Sequence, residues 1–308
     1  MRPSFIFIVG VTVVAVACSS PTDPSDPPEP TGTMLVVEQA AGLTYLVKLS
    51  DSSRMQVSQF GGPIVASALS QLTSGAGAVI GSRSEARARH IRRVEPSGGA
   101  VTELAAFASP VLVGVTELTP DDSRLTLSLG NYEGSSELSL FDLNLSTGAI
   151  VPLLQFSNGR RPGLLQWFSD GVRYLASVSE NGLQDIRLFS RTSQSSAGTA
   201  ITGTQCDNIP EMELSRDGRY LLYTCIHYVP GTSVVRTEVL RSYGIDGSRP
   251  VVLPSDFRGY SYVFSPDARF LAYTSPDDRQ VWLLRLATGE RRRAFTTDAL
   301  VAEVADWK

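Results

Sequence analysis

The sequence is poor in histidine and cysteine and has no surplus of positive charge. Two His and three Cys occur among 308 residues, and 27 Lys and Arg stand against 31 Asp and Glu. Metal sites built from His and Cys need several such ligands at short spacing, and neither His90 nor His227 lies in such a run. Nucleic-acid-binding domains normally cluster basic residues. These shortages predict no metal, no cofactor and no nucleic-acid partner.

The elements of a serine hydrolase are missing as well. Such an enzyme needs a Gly-x-Ser-x-Gly elbow and a distant His in an α/β domain, and the sequence contains no such stretch. No His occurs in the strands that we expect to line a central channel: Ile64 to Leu69, Val111 to Leu118, Leu164 to Phe168, Ile209 to Leu214, Tyr260 to Phe264 and Leu300 to Val304. We therefore predict a protein that is not an enzyme, with a propeller hydrolase or lyase as an alternative.

No apolar run is long enough to span a bilayer, which takes about 20 residues. The longest, Phe5 to Val16, follows Arg2 and ends in small residues before Cys18, which is typical of a removable signal peptide. The run Ala15-Val16-Ala17-Cys18 resembles the bacterial lipobox, which implies that Cys18 is diacylated and becomes the mature N-terminus. The alternative is an ordinary secretory signal that is cut before a free Cys18.

The resemblance implies a lipid-anchored protein of the bacterial cell envelope, on the periplasmic or surface face. Ser19 follows the anchor, which by resemblance to enterobacterial lipoproteins favours the outer over the inner membrane. Residues 19 to 33 contain five Pro and no large apolar residue, and such a segment cannot bury enough surface to fold. We predict a signal peptide at 1–17, the lipidated Cys and a disordered tether at 18–33, and one folded domain at 34–308.

The folded domain is built from repeats. Four segments join a polar turn to an apolar strand: TPDDSRLTL from Thr119, SDGVRYLAS from Ser169, SRDGRYLLY from Ser215 and SPDARFLAY from Ser265. Their Asp residues are 49, 47 and 50 positions apart, and a weaker copy lies around Leu72 to Ile80. Ser, Thr, Pro, Asp and Gly in such a turn favour a tight hairpin through Asx-type hydrogen bonds. Calcium binding by the repeated Asp is the less favoured alternative.

A second strand follows each turn, and counting it gives six units. Four short strands per repeat, arranged radially, indicate a six-bladed β-propeller with four-stranded antiparallel blades. The first unit lacks a strand before Met34, whereas the chain ends with an extra one, Leu300 to Trp307. We predict that this last strand completes the first blade and closes the ring, with Trp307 equivalent to Phe168 and Phe264.

The segments around Leu214 and Phe264, LSRDGRYLLYT and FSPDARFLAYT, resemble the blades of TolB-type, WD40-like (PD-repeat) propellers. The resemblance covers residues 34–308, strongly in the last four blades and weakly in the first two. It implies a propeller of the kind that also occurs as the non-catalytic domain of prolyl-oligopeptidase-like enzymes.

Cys206 and Cys225 flank the turn of one predicted hairpin. Folding the hairpin brings them within about one residue of register, which makes a disulfide geometrically possible in an oxidising compartment. Two buried free thiols are the alternative.

A partner is expected on the face formed by loops between blades and between second and third strands, around the channel mouth. The candidate residues are of types common at interfaces: Tyr132, Arg160, Arg161, His227, Tyr228 and Arg258. We predict a monomer that binds protein or peptide partners. The alternative is a carbohydrate or small molecule at the channel mouth.

Overall fold

The computed structural model describes residues 29–38, 43–57, 71–73, 77–85, 87–96, 100–132, 137–156, 159–193, 195, 197–296 and 302–308. The predicted signal peptide and Cys18 lie outside the described residues, as does the segment Ile64 to Leu69, which the sequence predicts as a channel strand. In the described part no helix has the length and apolar character needed to cross a membrane.

The fold is an all-β propeller of six sheets, as predicted. Blade 1 contains β1 (Thr33–Glu38), β2 (Leu43–Lys48) and β3 (Ser53–Val57), and blade 2 contains β4 (Gln71–Leu72), β5 (Val79–Glu85), β6 (Ala88–Val94) and β7 (Val101–Ala108). Blade 3 contains β8 (Leu112–Leu118), β9 (Arg124–Gly130), β10 (Ser139–Asn144) and β11 (Ile150–Leu154). Blade 4 contains β12 (Arg161–Trp167), β13 (Arg173–Glu180), β14 (Leu183–Ser190) and β15 (Thr199–Ala200). Blade 5 contains β16 (Met212–Leu214), β17 (Tyr220–Tyr228) and β18 (Val235–Gly244), and a short 3-10 turn follows at Ile245–Gly247. Blade 6 contains β19 (Tyr260–Phe264), β20 (Phe270–Thr274), β21 (Val281–Arg285) and β22 (Arg291–Phe295), and β23 (Ala302–Trp307) returns to blade 1.

The last strand closes the ring, which confirms the predicted closure. β23 pairs antiparallel with β1, with Met34 opposite Trp307. Beyond the ladder, Thr33 N donates to Lys308 O at 2.7 Å and Lys308 N donates to Thr33 O at 3.0 Å. Gly32 stands at φ +102°, and a Cβ there would lie 2.5 Å from the carbonyl oxygen of Lys308, so a larger residue does not fit at this junction.

The repeated turns share one hydrogen-bond pattern. The first residue donates its N–H to the carbonyl five positions on and accepts from the N–H three positions on; these first residues are Thr119, Phe168, Ser215 and Ser265. The fourth residue has positive φ in each: Asp122, Gly171, Gly218 and Ala268. The weaker copy in blade 2 makes the first of these bonds, from Thr73 N to Ala78 O.

This pattern corrects one alignment made from the sequence. Phe168 is the first residue of its turn, so Trp167 is the residue equivalent to Phe264. Lys308 makes the corresponding bond to Thr33 at the closure, which places Trp307 with Phe264 and Trp167. Only the equivalence of Trp307 with Phe168 is wrong, and it fails because the fourth blade carries two aromatic residues in succession.

The hydrophobic core lies between blades. Between blades 6 and 1, Met34, Phe270 and Trp307 form part of one buried cluster. Successive side chains of a strand point to opposite sides of its sheet, so each blade contributes residues to the clusters on both of its flanks. Closure therefore buries the flank of blade 1 that an open arc would expose.

Blade 5 differs from the predicted four strands, because its sheet contains three in the described residues. The chain that returns after β18 contains Pro250 and Pro254, and Pro has no N–H to donate to a ladder. The disulfide predicted between Cys206 and Cys225 is present, with the two Cα atoms 5.5 Å apart. It fastens the chain entering this blade to β17, and both residues are fully buried.

Candidate functional site

The inner strands of the six blades surround a channel along the propeller axis. A cavity of about 470 Å³ occupies it, lined by residues of β8, β12, β16, β19 and β23. Four of these strands are interrupted by an irregularity of register: β8, β12, β19 and β23. Bulges of this kind re-aim side chains, and here they occur where polar residues face the channel.

The channel lining repeats from blade to blade. The residue two positions before each turn lines the cavity in blades 3 to 6 and in the closing strand: Glu117, Gln166, Glu213, Val263 and Asp306. Glu211 and Glu303 add two further carboxylates deeper along the same strands. The channel is therefore acidic, with five carboxylates against the cations Arg216 and Lys308.

Hydrogen bonds from each inner strand to the next connect these side chains into a chain that runs around the axis. Gln166 Nε2 donates to Glu117 Oε2 at 3.0 Å, and Gln166 Oε1 accepts from Leu214 N at 3.5 Å. Glu213 Oε1 accepts from Phe264 N at 3.3 Å. The same side chains that make the channel polar thus hold blades 3, 4, 5 and 6 together.

A second set of such bonds lies nearer the middle of the channel. Glu211 Oε1 accepts from Ser261 N at 2.9 Å, and Ser261 Oγ donates to the carbonyl of Val304 at 2.8 Å. These bonds carry the connection from blade 5 through blade 6 to the closing strand.

Burial and neighbouring charges shift the pKa values of the channel groups. Burial raises the pKa of Glu213 well above its ordinary value, and Glu117 and Asp306 raise it further. Burial also raises the pKa of Glu211. For Lys308, burial lowers the pKa, but Asp306 and Glu117 outweigh this effect and the pKa rises. Lys308 therefore remains charged at the channel mouth.

The cavity opens on the face that carries the repeated turns, which we call the turn face. The second residue of each turn rims the opening: Pro120, Ser169, Arg216 and Pro266. Trp167, Tyr262 and Trp307 line the wall between this rim and the carboxylates. Polar and aromatic groups thus converge in one pocket. Within the described residues, no three His, Cys, Asp or Glu side chains come together as a metal site.

The predicted partner-binding residues lie on the opposite face, which we call the loop face, and none of the six lines the cavity. Tyr132 packs edge-on against Phe107 and Phe141, with ring centroids 6.0 and 5.2 Å away. Arg160 pairs with Glu180 at 2.9 Å, whereas Arg161 is exposed at the start of β12. Of these three residues, only Arg161 is presented fully to solvent.

The other three predicted residues flank blade 5. His227 Nδ1 lies 3.8 Å from Asp207 Oδ2, and its Nε2 lies 3.6 Å from Cys225 Sγ. Tyr228 donates its backbone N–H to Asp207 at 2.7 Å, and Arg258 donates to the carbonyl of Phe257. All three residues thus contact neighbouring residues of blade 5 or of the chain that follows it. The sequence did not indicate these contacts.

The repeated Asp residues make the turn bonds that an Asx-type turn requires. Asp217 Oδ1 accepts from Ser215 Oγ at 2.7 Å and from Arg219 N at 3.1 Å. Asp267 repeats both bonds with Ser265 and Arg269. The turn chemistry therefore accounts for these carboxylates.

Sequence reasoning missed the channel residues, although they carry a signal. Glu117, Gln166 and Glu213 are spaced by the repeat length, 49 and 47 positions apart. Each stands in an apolar strand two positions before a turn, where a blade needs no polar side chain for its own hairpin. A polar residue repeated at the blade period is the pattern that would have identified the channel.

Comparison with known proteins adds to the fold. No family model matches the sequence, and no curated protein matches it. Among solved structures, TolB from Acinetobacter baumannii superposes with a TM-score of 0.54 at 14% identity, over 82% of this chain and 64% of that one. The chain thus spans less than two thirds of that TolB.

Other propellers superpose comparably. A chain of the nidogen/laminin complex gives a TM-score of 0.55 at 12% identity, over 89% of this chain and 98% of that chain. A prolyl endopeptidase gives 0.51 at 14% identity, over 85% of this chain and 38% of that one. Identities this low establish the fold alone: the chain is a six-bladed β-propeller with the TolB-like, WD40-like architecture.

Proposed function

We propose that this protein is a noncatalytic binding scaffold that receives a basic segment of a protein or peptide partner at the channel mouth on the turn face. The observation that carries the proposal is the acidic lining of one open cavity: Glu117, Glu211, Glu303 and Asp306, with the buried Glu213, whose raised pKa favours its neutral form, face the two cations Arg216 and Lys308. A cleft lined by one sign of charge attracts ligands of the opposite sign. Fold likeness to TolB and to a chain of the nidogen/laminin complex supports a binding role.

The site suits an Arg or Lys side chain in particular. Guanidinium groups bind carboxylates through paired, charge-assisted hydrogen bonds. The carboxylate of Glu303 lines the cavity and makes no hydrogen bond or ion pair within the described part of the chain. Pro120, Leu164 and Pro266, which also line the cavity and are less buried, supply apolar surface for the aliphatic part of such a side chain.

We further propose that the propeller is anchored at the bacterial envelope through lipidated Cys18, with the outer membrane as its location. The lipobox resemblance and the Pro-rich tether support this assignment. A disulfide between Cys206 and Cys225 fits an oxidising compartment.

Fluorescent oligo-arginine and oligo-glutamate peptides of equal length test the binding site. The variant Glu211→Gln/Glu303→Gln removes two negative charges and keeps side-chain oxygens that accept hydrogen bonds. We expect oligo-arginine to bind in preference to oligo-glutamate, and the variant to lose about tenfold in affinity, the effect of roughly 1.4 kcal/mol. Glu95→Gln/Glu290→Gln, which removes two carboxylates outside the channel, is the matched control. Equal affinity of the two variants would refute the channel as the binding site.

A second candidate function is the binding of a small polar or cationic molecule. The cavity volume of about 470 Å³ falls within the range of small-ligand sites, about 300 to 1,000 Å³. Titration calorimetry with an oligosaccharide panel and with spermidine distinguishes the candidates. A small molecule that gives a saturable heat of binding to wild type, and that displaces oligo-arginine from it, would favour this second candidate.

A further inference from the structure

The outer edge of blade 5 is an unpaired strand. In the other five sheets, a fourth strand pairs with the third: β3, β7, β11, β15 and β22. The shortest of them, β15, pairs with two residues of β14. Over Val235–Gly244, β18 pairs with β17 on one side alone. The returning chain does not replace the missing strand, because Val251 and Leu253 turn inward and pack in the cluster between blades 5 and 6.

This edge has few of the features by which proteins block unwanted strand pairing. Edge strands are usually short, or carry Lys, Pro or other charges. β18 is ten residues long and contains no Lys or Pro, and its charged residues are Arg236, Glu238 and Arg241. Every residue from 229 to 239 is exposed, and Val235 and Val239 are 47% and 43% exposed. A bulge at Arg236 interrupts the strand near its start, which leaves the regular stretch from Thr237 onward available.

Two polar side chains of β18 have unsatisfied atoms. Arg241 Nε and Ser242 Oγ are buried and have no hydrogen-bond partner in the described residues. Arg241 and Val239 lie on the same side of the sheet, opposite Tyr223 and Cys225 of β17. A buried donor without an acceptor is costly, so the edge is short of an acceptor beside Arg241.

We infer that an extended segment of a partner protein pairs with β18 as the fourth, antiparallel strand of blade 5. Its backbone would form ladder hydrogen bonds with Thr237 to Arg241, and its side chains would be complementary in charge and shape to those of β18 directly opposite. Opposite-charge and β-branched pairs directly across a ladder are favourable. The segment therefore has an acidic residue opposite Arg241 and, two residues later, an aliphatic residue opposite Val239. This recognition mode is β-strand addition to an exposed sheet edge, on a surface separate from the channel.

A second copy of this chain does not fit the same site. Two identical antiparallel strands related by a two-fold axis place residues of like parity opposite each other, because directly opposed side chains share a face of the sheet. The acidic residue of β18 is Glu238, and its even number prevents it from standing opposite Arg241 in such a pair. A symmetric dimer would leave Arg241 without its carboxylate.

Short synthetic peptides provide the test. One probe has Asp-Thr-Val at the centre of an alternating strand sequence, a second has Lys-Thr-Val, and a third is the Asp peptide with N-methylated backbone amides on the pairing edge. Fluorescence anisotropy measures binding, and hydrogen–deuterium exchange measures protection of the β18 amides. We expect the Asp peptide to bind wild type and to protect residues 237–241, and the N-methylated peptide not to bind.

Arg241→Glu should reverse the preference from the Asp peptide to the Lys peptide, a change of about tenfold for each peptide when one charge-assisted pair is exchanged. Lys48→Glu, an exposed charge reversal in blade 1, should retain the wild-type preference. Binding without protection of β18, equal binding of the N-methylated peptide, or an unchanged preference in Arg241→Glu would overturn the inference. The first two outcomes are measured on wild type, so they do not depend on the stability of the variant. Because none of these readouts involves the channel, the outcome is independent of oligo-arginine binding.

Discussion

Trp307 Nε1 donates a 2.9 Å hydrogen bond to the carbonyl of Thr31, although the two residues are 276 positions apart. The indole is 3% exposed and packs in the cluster between blades 6 and 1. A single side chain at the C-terminus thus contacts the first residues of the domain and the core that closure creates.

Replacing this indole should destabilise the contact between the closing strand and the first residues of the domain. We expect Trp307→Ala to lower the free energy of unfolding by about 3–5 kcal/mol, as for other buried aromatic residues, measured by urea denaturation. Trp282→Ala is the control, because Trp282 is partly buried and lies within blade 6. A loss at Trp307 no larger than that at Trp282 would contradict a special role for closure.

The disulfide of blade 5 should contribute measurably to stability. Cys206 and Cys225 are separated by 19 positions, and closing a loop of this size contributes about 3 kcal/mol. We therefore expect the double variant Cys206→Ala/Cys225→Ala to unfold at a lower urea concentration than wild type. Dithiothreitol should lower the midpoint of wild type but not that of the variant. A midpoint in wild type that reductant leaves unchanged would argue against the bond.

The buried carboxylate Glu213 should make the protein less stable as the pH rises. Its pKa is raised in the folded state, so the folded protein binds a proton that the unfolded chain has released, and stability falls above the ordinary pKa of Glu until the folded pKa is passed. Glu213→Gln keeps the acceptor for Phe264 N and removes the charge. As the pH rises above the ordinary pKa of Glu, its unfolding free energy should fall less steeply than that of wild type, by up to about 1.4 kcal/mol per pH unit.

The control for this experiment is Glu290→Gln, which removes a carboxylate that is 63% exposed. Parallel pH profiles of wild type and Glu213→Gln would show that Glu213 has no raised pKa. Asp217, in the turn of blade 5, acts in the opposite sense. Hydrogen bonds lower its pKa despite its partial burial, so its contribution to stability is lost as the pH falls below the ordinary range of Asp.

The proposed lipid anchor predicts that Cys18→Ser moves the protein from the membrane to the soluble fraction. Two or three acyl chains hold a protein at a bilayer, whereas the tether alone has no apolar residue to do so. Fractionation and immunoblotting measure the distribution, and Ser19→Ala is the control that keeps the thiol. Membrane association of Cys18→Ser equal to that of wild type would exclude the anchor.

The fold was predictable because each blade repeats the same local chemistry. The turn from Ser265 has the Ser and Asp of an Asx-type turn, and the strand that follows it, Phe270–Thr274, is mostly apolar and buried throughout; the sequence displays both the turn residues and the apolar run. Closure was predictable because the first unit lacks one strand and the last unit is followed by an extra one. The three-stranded blade was harder to foresee, because Pro250 and Pro254 act by removing donors from a strand whose presence was assumed.

The candidate sites were less accessible to sequence reasoning. Tyr132 and Arg160 have the residue types of interface anchors, but their ring contacts and ion pair depend on Phe107, Phe141 and Glu180, which are distant in sequence or on another strand. The channel charges arise when inner strands about 48 positions apart meet at the axis. The repeat spacing of Glu117 and Glu213 is visible in the sequence, and the structure shows that both side chains face the same cavity.

The hydrogen bonds between Thr33 and Lys308 also determine which way an anchored propeller would face. Lys308 stands at the rim of the channel, and Glu29 pairs with Arg292 of the outer strand of blade 6 at 2.8 Å. The polypeptide that leads back toward Cys18 therefore leaves the domain beside β22. Eleven residues, 18 to 28, precede Glu29 from Cys18 onward, and at about 3.1 Å per residue in an extended proline-rich chain they reach roughly 35 Å. With Cys18 in the bilayer, the length of this tether limits the distance between the lipid headgroups and the propeller. A partner of the channel would then have to reach the propeller from the side that is held near the membrane.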